Sequence, residues 1–221
     1  MLLQSLIQLL FPIQCASCAA PNVELCDICA RAWRSKVQVG RVDQLPILWS
    51  AGYSPLTSPI VLAAKEDNHR RSQIILAEAL DRGLAEARRR NWIDANQRLY
   101  LVPIPSTKQS NRRRGHFHLR SVIDHMTSQV IFSDVLEITR KVVDQSSLAR
   151  QERHENLHGA YRVRPTCALS DRTMAEIRQG VLVICDDLVT SGSSLREAVR
   201  ALKVAKISPE FALSACAAGA F

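Results

Sequence analysis

Aromatic side chains are scarce, 5% of the 221 residues, which excludes a stacking platform able to carry nucleic-acid bases across a whole surface. Long apolar runs are lacking too: nothing approaches the roughly 18 consecutive apolar residues of a membrane span, so no transmembrane segment is expected. The opening stretch from Met1 to Phe11 is apolar at positions 2, 3, 6, 7, 9 and 10, but Gln4, Ser5 and Gln8 interrupt it and no positive flank precedes it. It reads as a short amphipathic helix rather than a secretory signal. An interfacial membrane helix is the lesser alternative, because no cationic face accompanies the apolar one. Neither G-x-x-x-x-G-K-S/T nor G-x-G-x-x-G occurs, so the two commonest nucleotide loops are excluded. Acidic residues are outnumbered, 21 to 29, for a net charge of +8. A chain this basic favours anionic partners, either a polyphosphate ligand or a nucleic acid. The seven cysteines are odd in number; without a secretory signal they argue against a disulfide scaffold and for a reducing, cytoplasmic setting.

What is present centres on residues 181 to 195. Val181-Leu182-Val183-Ile184-Cys185 is an apolar, largely β-branched run that predicts a strand buried on both faces of a parallel sheet. Asp186 and Asp187 then mark its expected C-terminal end, Thr190-Ser191-Gly192-Ser193-Ser194 follows as a loop of small residues, and Leu195, Ala198, Val199, Leu202 and Ala205 recur at helical spacing. A small-residue loop at a helix N-terminus suits a phosphate, because unpaired N–H donors and the helix dipole both point at it. Two adjacent carboxylates would repel that phosphate. They therefore need another task, accepting hydrogen bonds from sugar hydroxyls or holding Mg2+. Ribose 5-phosphate presents both halves. A helix cap formed by Asp187 and the serines is the plain structural alternative.

Four of the cysteines lie close together. Cys15-Ala-Ser-Cys18 and Cys26-Asp-Ile-Cys29 are two C-x2-C knuckles separated by seven residues, with Pro21-Asn22 supplying a turn between them. Four thiolates satisfy a tetrahedral Zn2+ and leave no open position for a substrate, so the expected metal is structural. Length fits one α/β domain with a small appendage: residues 1–40 as amphipathic helix and zinc ribbon, residues 41–221 as the larger domain. Gly40 and Pro46 among mixed polar residues predict a linker over 34–46. Strands are expected at 47–53, 99–105, 135–143 and 211–218. Helices are expected from about 58 to 65, 71 to 89 and 116 to 131.

The motif Asp186-Asp187-Leu-Val-Thr-Ser-Gly-Ser-Ser closely resembles the phosphoribosyl pyrophosphate (PRPP) signature of type I phosphoribosyltransferases. Its surroundings resemble the ComF family, which joins a small zinc module to such a domain; Leu10-Phe11-Pro12 before the first knuckle is similar to the start of that module. The resemblance implies a parallel-sheet phosphoribosyltransferase fold and a PRPP ligand with Mg2+, with Asp186 and Asp187 at the ribose hydroxyls and Thr190, Ser191, Gly192, Ser193 and Ser194 around the 5′-phosphate. It marks Lys65, after the first helix of the larger domain, as a candidate phosphate contact. It reads Val102-Pro-Ile-Pro105 and the residues after it, including Ser106 and Lys108, as the pyrophosphate loop. Arg114-Gly115 matches the family's Arg-Gly pair, but His116-Phe117-His118 stands where Phe-Asn-Gln is usual. Gln145, Leu148, Arg153, Asn156 and Gly159-Ala160-Tyr161 follow the family order. That makes the polar stretch 144–159 a lid with Arg153 as a catalytic candidate beside the carboxylates.

Two functions of different kinds follow. One is an enzyme that transfers ribose 5-phosphate from PRPP to an unknown acceptor. The other is a non-catalytic module that binds PRPP and single-stranded DNA in DNA uptake or DNA utilisation, with Arg112, Arg113, Arg114 and Arg120 as a phosphate-backbone contact. A purely structural role is the third reading.

Overall fold

A computed structural model of the chain describes residues 13–94, 96–106, 115, 117–140, 157–165, 175–177, 179–219 and 221. Lys108, Arg153, the basic run 112–114 and most of the expected lid lie outside the described residues. The elements in chain order are α1 (Asp27–Trp33), β1 (Gln38–Val42), β2 (Leu45–Gly52), α2 (Ser58–Glu66), α3 (Arg70–Arg89), β3 (Leu99–Pro103), α4 (His118–Ile123) and β4 (Ile131–Phe132). They continue as β5 (Leu136–Ile138), β6 (Tyr161–Val163), β7 (Val181–Val189), α5 (Ser193–Val204) and β8 (Phe211–Ala217).

Six strands form one sheet in the order β1-β2-β8-β7-β3-β4. All neighbours are parallel except the β1–β2 edge hairpin. The apolar run of β7 alternates between two cores, as a strand's period of two requires: Val183 and Cys185 pack with α2, α3 and α4 on one face, Leu182 and Ile184 with α5 on the other. From β3 the chain passes outward to β4, whereas from β7 it returns through α5 on the opposite face to β8. The two connections diverge between the C-terminal ends of β3 and β7. Such a topological switch point opens a crevice, the usual ligand position in an open parallel sheet.

Several expectations need correction. The linker expected over 34–46 instead contains β1 and the start of β2, paired from Gln38 opposite Trp49 to Val42 opposite Leu45. Gly40 is there for close approach, since a Cβ on it would lie 2.3 Å from the Phe221 carbonyl oxygen. The helix expected over 116–131 ends at Ile123, because the Asp81 carboxylate on α3 takes the N–H groups of Thr127 and Ser128 at 2.8 and 3.0 Å and turns the chain into β4. The third core strand, expected over 135–143, is the short β5. It pairs antiparallel with β6 in a separate two-stranded ribbon. β7 also runs on through both carboxylates to Val189, paired with Ala217, so the acids are inside the strand rather than at its end.

Candidate functional site

Adjacent residues of a strand point to opposite faces, and this sorts the two carboxylates. Asp187 faces α2 and α4: its Oδ2 lies 3.4 Å from Lys65 Nζ and 3.1 Å from His118 Nε2, and its Oδ1 accepts the Leu188 N–H at 2.9 Å. The other ring nitrogen of His118, Nδ1, is 3.1 Å from the Ala64 carbonyl oxygen. The ring is thus held between the Asp187 carboxylate and the Ala64 carbonyl. Asp186 accepts the Asp187 N–H at 2.9 Å, is hydrogen-bonded to the Asp187 carboxylate as well, and lies within electrostatic reach of the Tyr161 phenol, which is paired with Ser194.

The carboxylates are buried, 9% and 4% exposed, inside β7 rather than at its expected end. β3 stops pairing with β7 at Pro103 opposite Cys185, and only the Ile104 N–H extends the contact, to the Cys185 carbonyl. The acids thus stand beside the gap, and Ser106 follows the end of β3 in the chain. Their surroundings drive the two apart. Burial and the Asp187 charge raise the Asp186 pKa well above the carboxylate range. Burial also works against the Asp187 charge, but Lys65 and His118 outweigh it and hold that group far below the usual range.

The loop to α5 follows at once. Gly192 sits in the left-handed region at φ 74° as the residue before the helix and, having no side chain, cannot cap it. The Ser191 hydroxyl accepts the Ser193 N–H of the first turn at 3.4 Å, so a serine takes one of the helix's N-terminal donors, whereas Asp187 bonds Lys65, His118 and the Leu188 N–H instead. Ser191 and Ser193 bond each other through their hydroxyls at 2.9 Å, while Thr190 is exposed. The loop is held from behind by the β1–β2 turn: the Arg196 guanidinium pairs with Asp43 at 3.1 Å and donates to the Ser191 carbonyl at 2.9 Å, and Val42 fills the space against Gly192. From the other side, buried Glu197 of α5 takes the Tyr161 N–H at 2.9 Å and an ion pair from Arg200 at 2.7 Å. Burial opposes the Glu197 charge, but these donors outweigh it and lower its pKa.

No protein-family model and no curated protein matches this chain. The reading of the crevice therefore rests on its geometry and chemistry.

Sequence reasoning brought together Asp186, Asp187, the 190–194 loop, Lys65 and Ser106, but expected Lys65 at a phosphate, whereas it stands on Asp187. Lys108 and Arg153 lie outside the described residues. In the sequence His118 stands out only as a departure from a motif. Its role is visible only once the fold sets it against Asp187. Tyr161 was missed as a site residue as well; its place in Gly159-Ala160-Tyr161 was the available signal.

The N-terminal cysteines form a separate centre. The sulfurs of Cys15, Cys18, Cys26 and Cys29 lie within 4.8 Å of one another, a spacing at which the four can bind one structural metal ion. Two left-handed residues, Ala19 and Asn22, turn the chain between the knuckles, and the Cys26 N–H points at Cys15 Sγ at 3.4 Å. Burial opposes thiolate formation at Cys15, but backbone N–H groups of Cys18, Cys26 and Ser17 outweigh it and lower its pKa to about 6. Burial, with neighbouring sulfurs, pushes Cys29 up to about 12. Among the described residues no helix is long and apolar enough to cross a membrane.

Proposed function

We propose that the crevice between β3 and β7 binds a pentose 5-phosphate of the PRPP class, and that the chain is a phosphoribosyltransferase-like protein of the ComF type. The reaction is transfer of ribose 5-phosphate from PRPP to a nucleophile: the bond from C1 to pyrophosphate breaks, pyrophosphate leaves with the electron pair, and the acceptor takes its place. The observation that carries this reading is the passage from β7 through the Ser191-Gly192-Ser193 turn into α5, whose residue before the first turn is a glycine, beside two buried carboxylates at the switch point. A helix N-terminus with small neighbours takes the phosphate, and acidic oxygens a few residues earlier take the sugar hydroxyls. Ser106 and Lys108 belong to the pyrophosphate side and Arg153 to the closing segment. The cysteine cluster holds a structural Zn2+.

The second reading, a non-catalytic module that binds PRPP and single-stranded DNA, is favoured by one observation, the net charge of +8. Incubation with PRPP and a panel of base and amine acceptors, read by mass spectrometry, separates the two. A phosphoribosyl adduct accompanied by pyrophosphate release is the expected outcome. Binding of PRPP with no adduct on any acceptor assigns the chain to the second reading, and no binding at all overturns both.

A further inference from the structure

A phosphoribosyl ligand is ordinarily accompanied by Mg2+, which takes near-octahedral oxygen ligands at about 2.1 Å. The donors around Asp187 do not suit it. Oδ2 already has Lys65 Nζ at 3.4 Å and His118 Nε2 at 3.1 Å, and Oδ1 holds the Leu188 N–H at 2.9 Å. A carboxylate offers about four lone-pair positions; these donors take three of them, and a side-chain hydrogen bond with Asp186 takes the fourth. A divalent cation on Oδ2 would stand against the Lys65 ammonium and displace the His118 ring in a site whose low exposure leaves little water to screen charge.

We infer that Lys65 and His118 together take the place of a divalent cation at Asp187, so that this crevice holds its sugar phosphate without a carboxylate-bound metal. The second half of that statement rests on the proposed function; the first does not. Both groups are fixed for the task. Lys65 lies in the last turn of α2. The His118 ring is locked from behind by the Ala64 carbonyl in that same turn and is 3% exposed. Asp186 agrees with this assignment: it is hydrogen-bonded to Asp187, and burial and its neighbour's charge raise its pKa, which disfavours the ionised form that a metal ligand needs. Asp187 is thus filled by partners from the protein, and what is left to a ligand is the remaining hydrogen-bonding capacity of the Asp186 carboxyl, which suits a hydroxyl rather than a coordination shell.

The test is Mn2+ titration of the zinc-loaded full chain, followed by electron paramagnetic resonance of the free ion. The wild type is expected to show no sub-millimolar Mn2+ site that Asp187→Asn removes, and Lys65→Met/His118→Gln is expected to bind Mn2+ about ten-fold more tightly or better, since an unopposed buried carboxylate then faces the crevice. A wild-type site that Asp187→Asn abolishes overturns the inference, as does a folded double variant that gains nothing. Binding that survives Asp187→Asn lies elsewhere, and the comparison of wild type with double variant then decides. If the double variant fails to fold, Lys65→Met alone takes its place, because Lys65 is 35% exposed; it is expected to gain affinity in the same direction, and no gain overturns the inference. In parallel, ribose 5-phosphate is titrated with and without added Mg2+. An affinity unchanged within about two-fold is expected, and a dependence of ten-fold or more contradicts metal-free binding. Absence of binding in both conditions rejects the proposed function and leaves the Mn2+ result standing on its own.

Discussion

Strand geometry makes Asp187 a fixed anion held by Lys65 and His118 and leaves Asp186 buried beside that charge, so the two titrate with opposite effects on stability. Asp187 has a lowered pKa, so its contribution is present above the ordinary carboxylate value of about 3.9 and is lost as pH falls below it. Asp186 has a raised pKa, so its contribution is complete below that value and is lost as pH rises through the raised one. Denaturant unfolding of the variants between acid and mildly alkaline pH checks both signs. Asp187→Asn is expected to cost about 1.5–3 kcal/mol at neutral pH, the worth of a charge-assisted hydrogen bond, with the cost shrinking in acid. Asp186→Asn is expected to gain on the wild type as pH rises, and equal costs at every pH would contradict the division of roles. The doubled acid was legible in the sequence because nothing structural calls for it. The inequality of its members was not, because it depends on Lys65 and His118, residues 122 and 69 positions from Asp187, and only tertiary packing brings them there.

Among the elements, β7 and α5 were the most legible, since a continuous apolar run, a small-residue loop and a helical stripe follow one another without a break. β2, α2, α3, β3 and β8 were found to within a few residues for the same reason. The edge strand β1 hid as a linker because Gln38, Gly40 and Arg41 on an exposed edge have no need of apolar alternation. The end of α4 was set from outside by Asp81 of α3. The N-terminal module carries the clearest consequence at this scale. Trp33, at the end of α1, is 1% exposed within the main core, and the Arg82 side chain donates to its carbonyl. The module is therefore part of the larger core rather than a pendant. One Zn2+ per chain is expected by elemental analysis, and Cys18→Ser is expected to lose it and to lower the thermal midpoint of the main cooperative unfolding, not only to loosen residues before 33. Trp33→Ala is expected to cost about 3–5 kcal/mol, read by denaturant unfolding. A metal-free Cys18→Ser protein with an unchanged midpoint would show that the module and the core are independent.

For the molecule as a whole, the excess of 29 basic over 21 acidic residues predicts that single-stranded DNA binds with little sequence preference and with an affinity that falls steeply with salt. Arg113→Ala/Arg114→Ala is expected to reduce the slope of log affinity against log salt by at most about 2 units, measured by fluorescence anisotropy at several salt concentrations. Salt-independent binding contradicts it. A charge of this size is readable from composition, but its target is not; the crevice supplies that, since the sheet order and the opposite exits of β3 and β7 are tertiary facts. The most direct test of the crevice is calorimetric titration of PRPP, ribose 5-phosphate and ribose into the wild type and into Ser194→Asp, in the first turn of α5. An acid there suits the helix dipole and can still accept from the Tyr161 phenol that Ser194 now partners, yet it repels an incoming phosphate; circular dichroism confirms that the variant is folded. The expected result is binding of both phosphates but not of ribose by the wild type, with a loss of about ten-fold or more in the folded variant. Equal heats from ribose and ribose 5-phosphate, or phosphate binding that Ser194→Asp leaves untouched, would contradict the assignment of this loop.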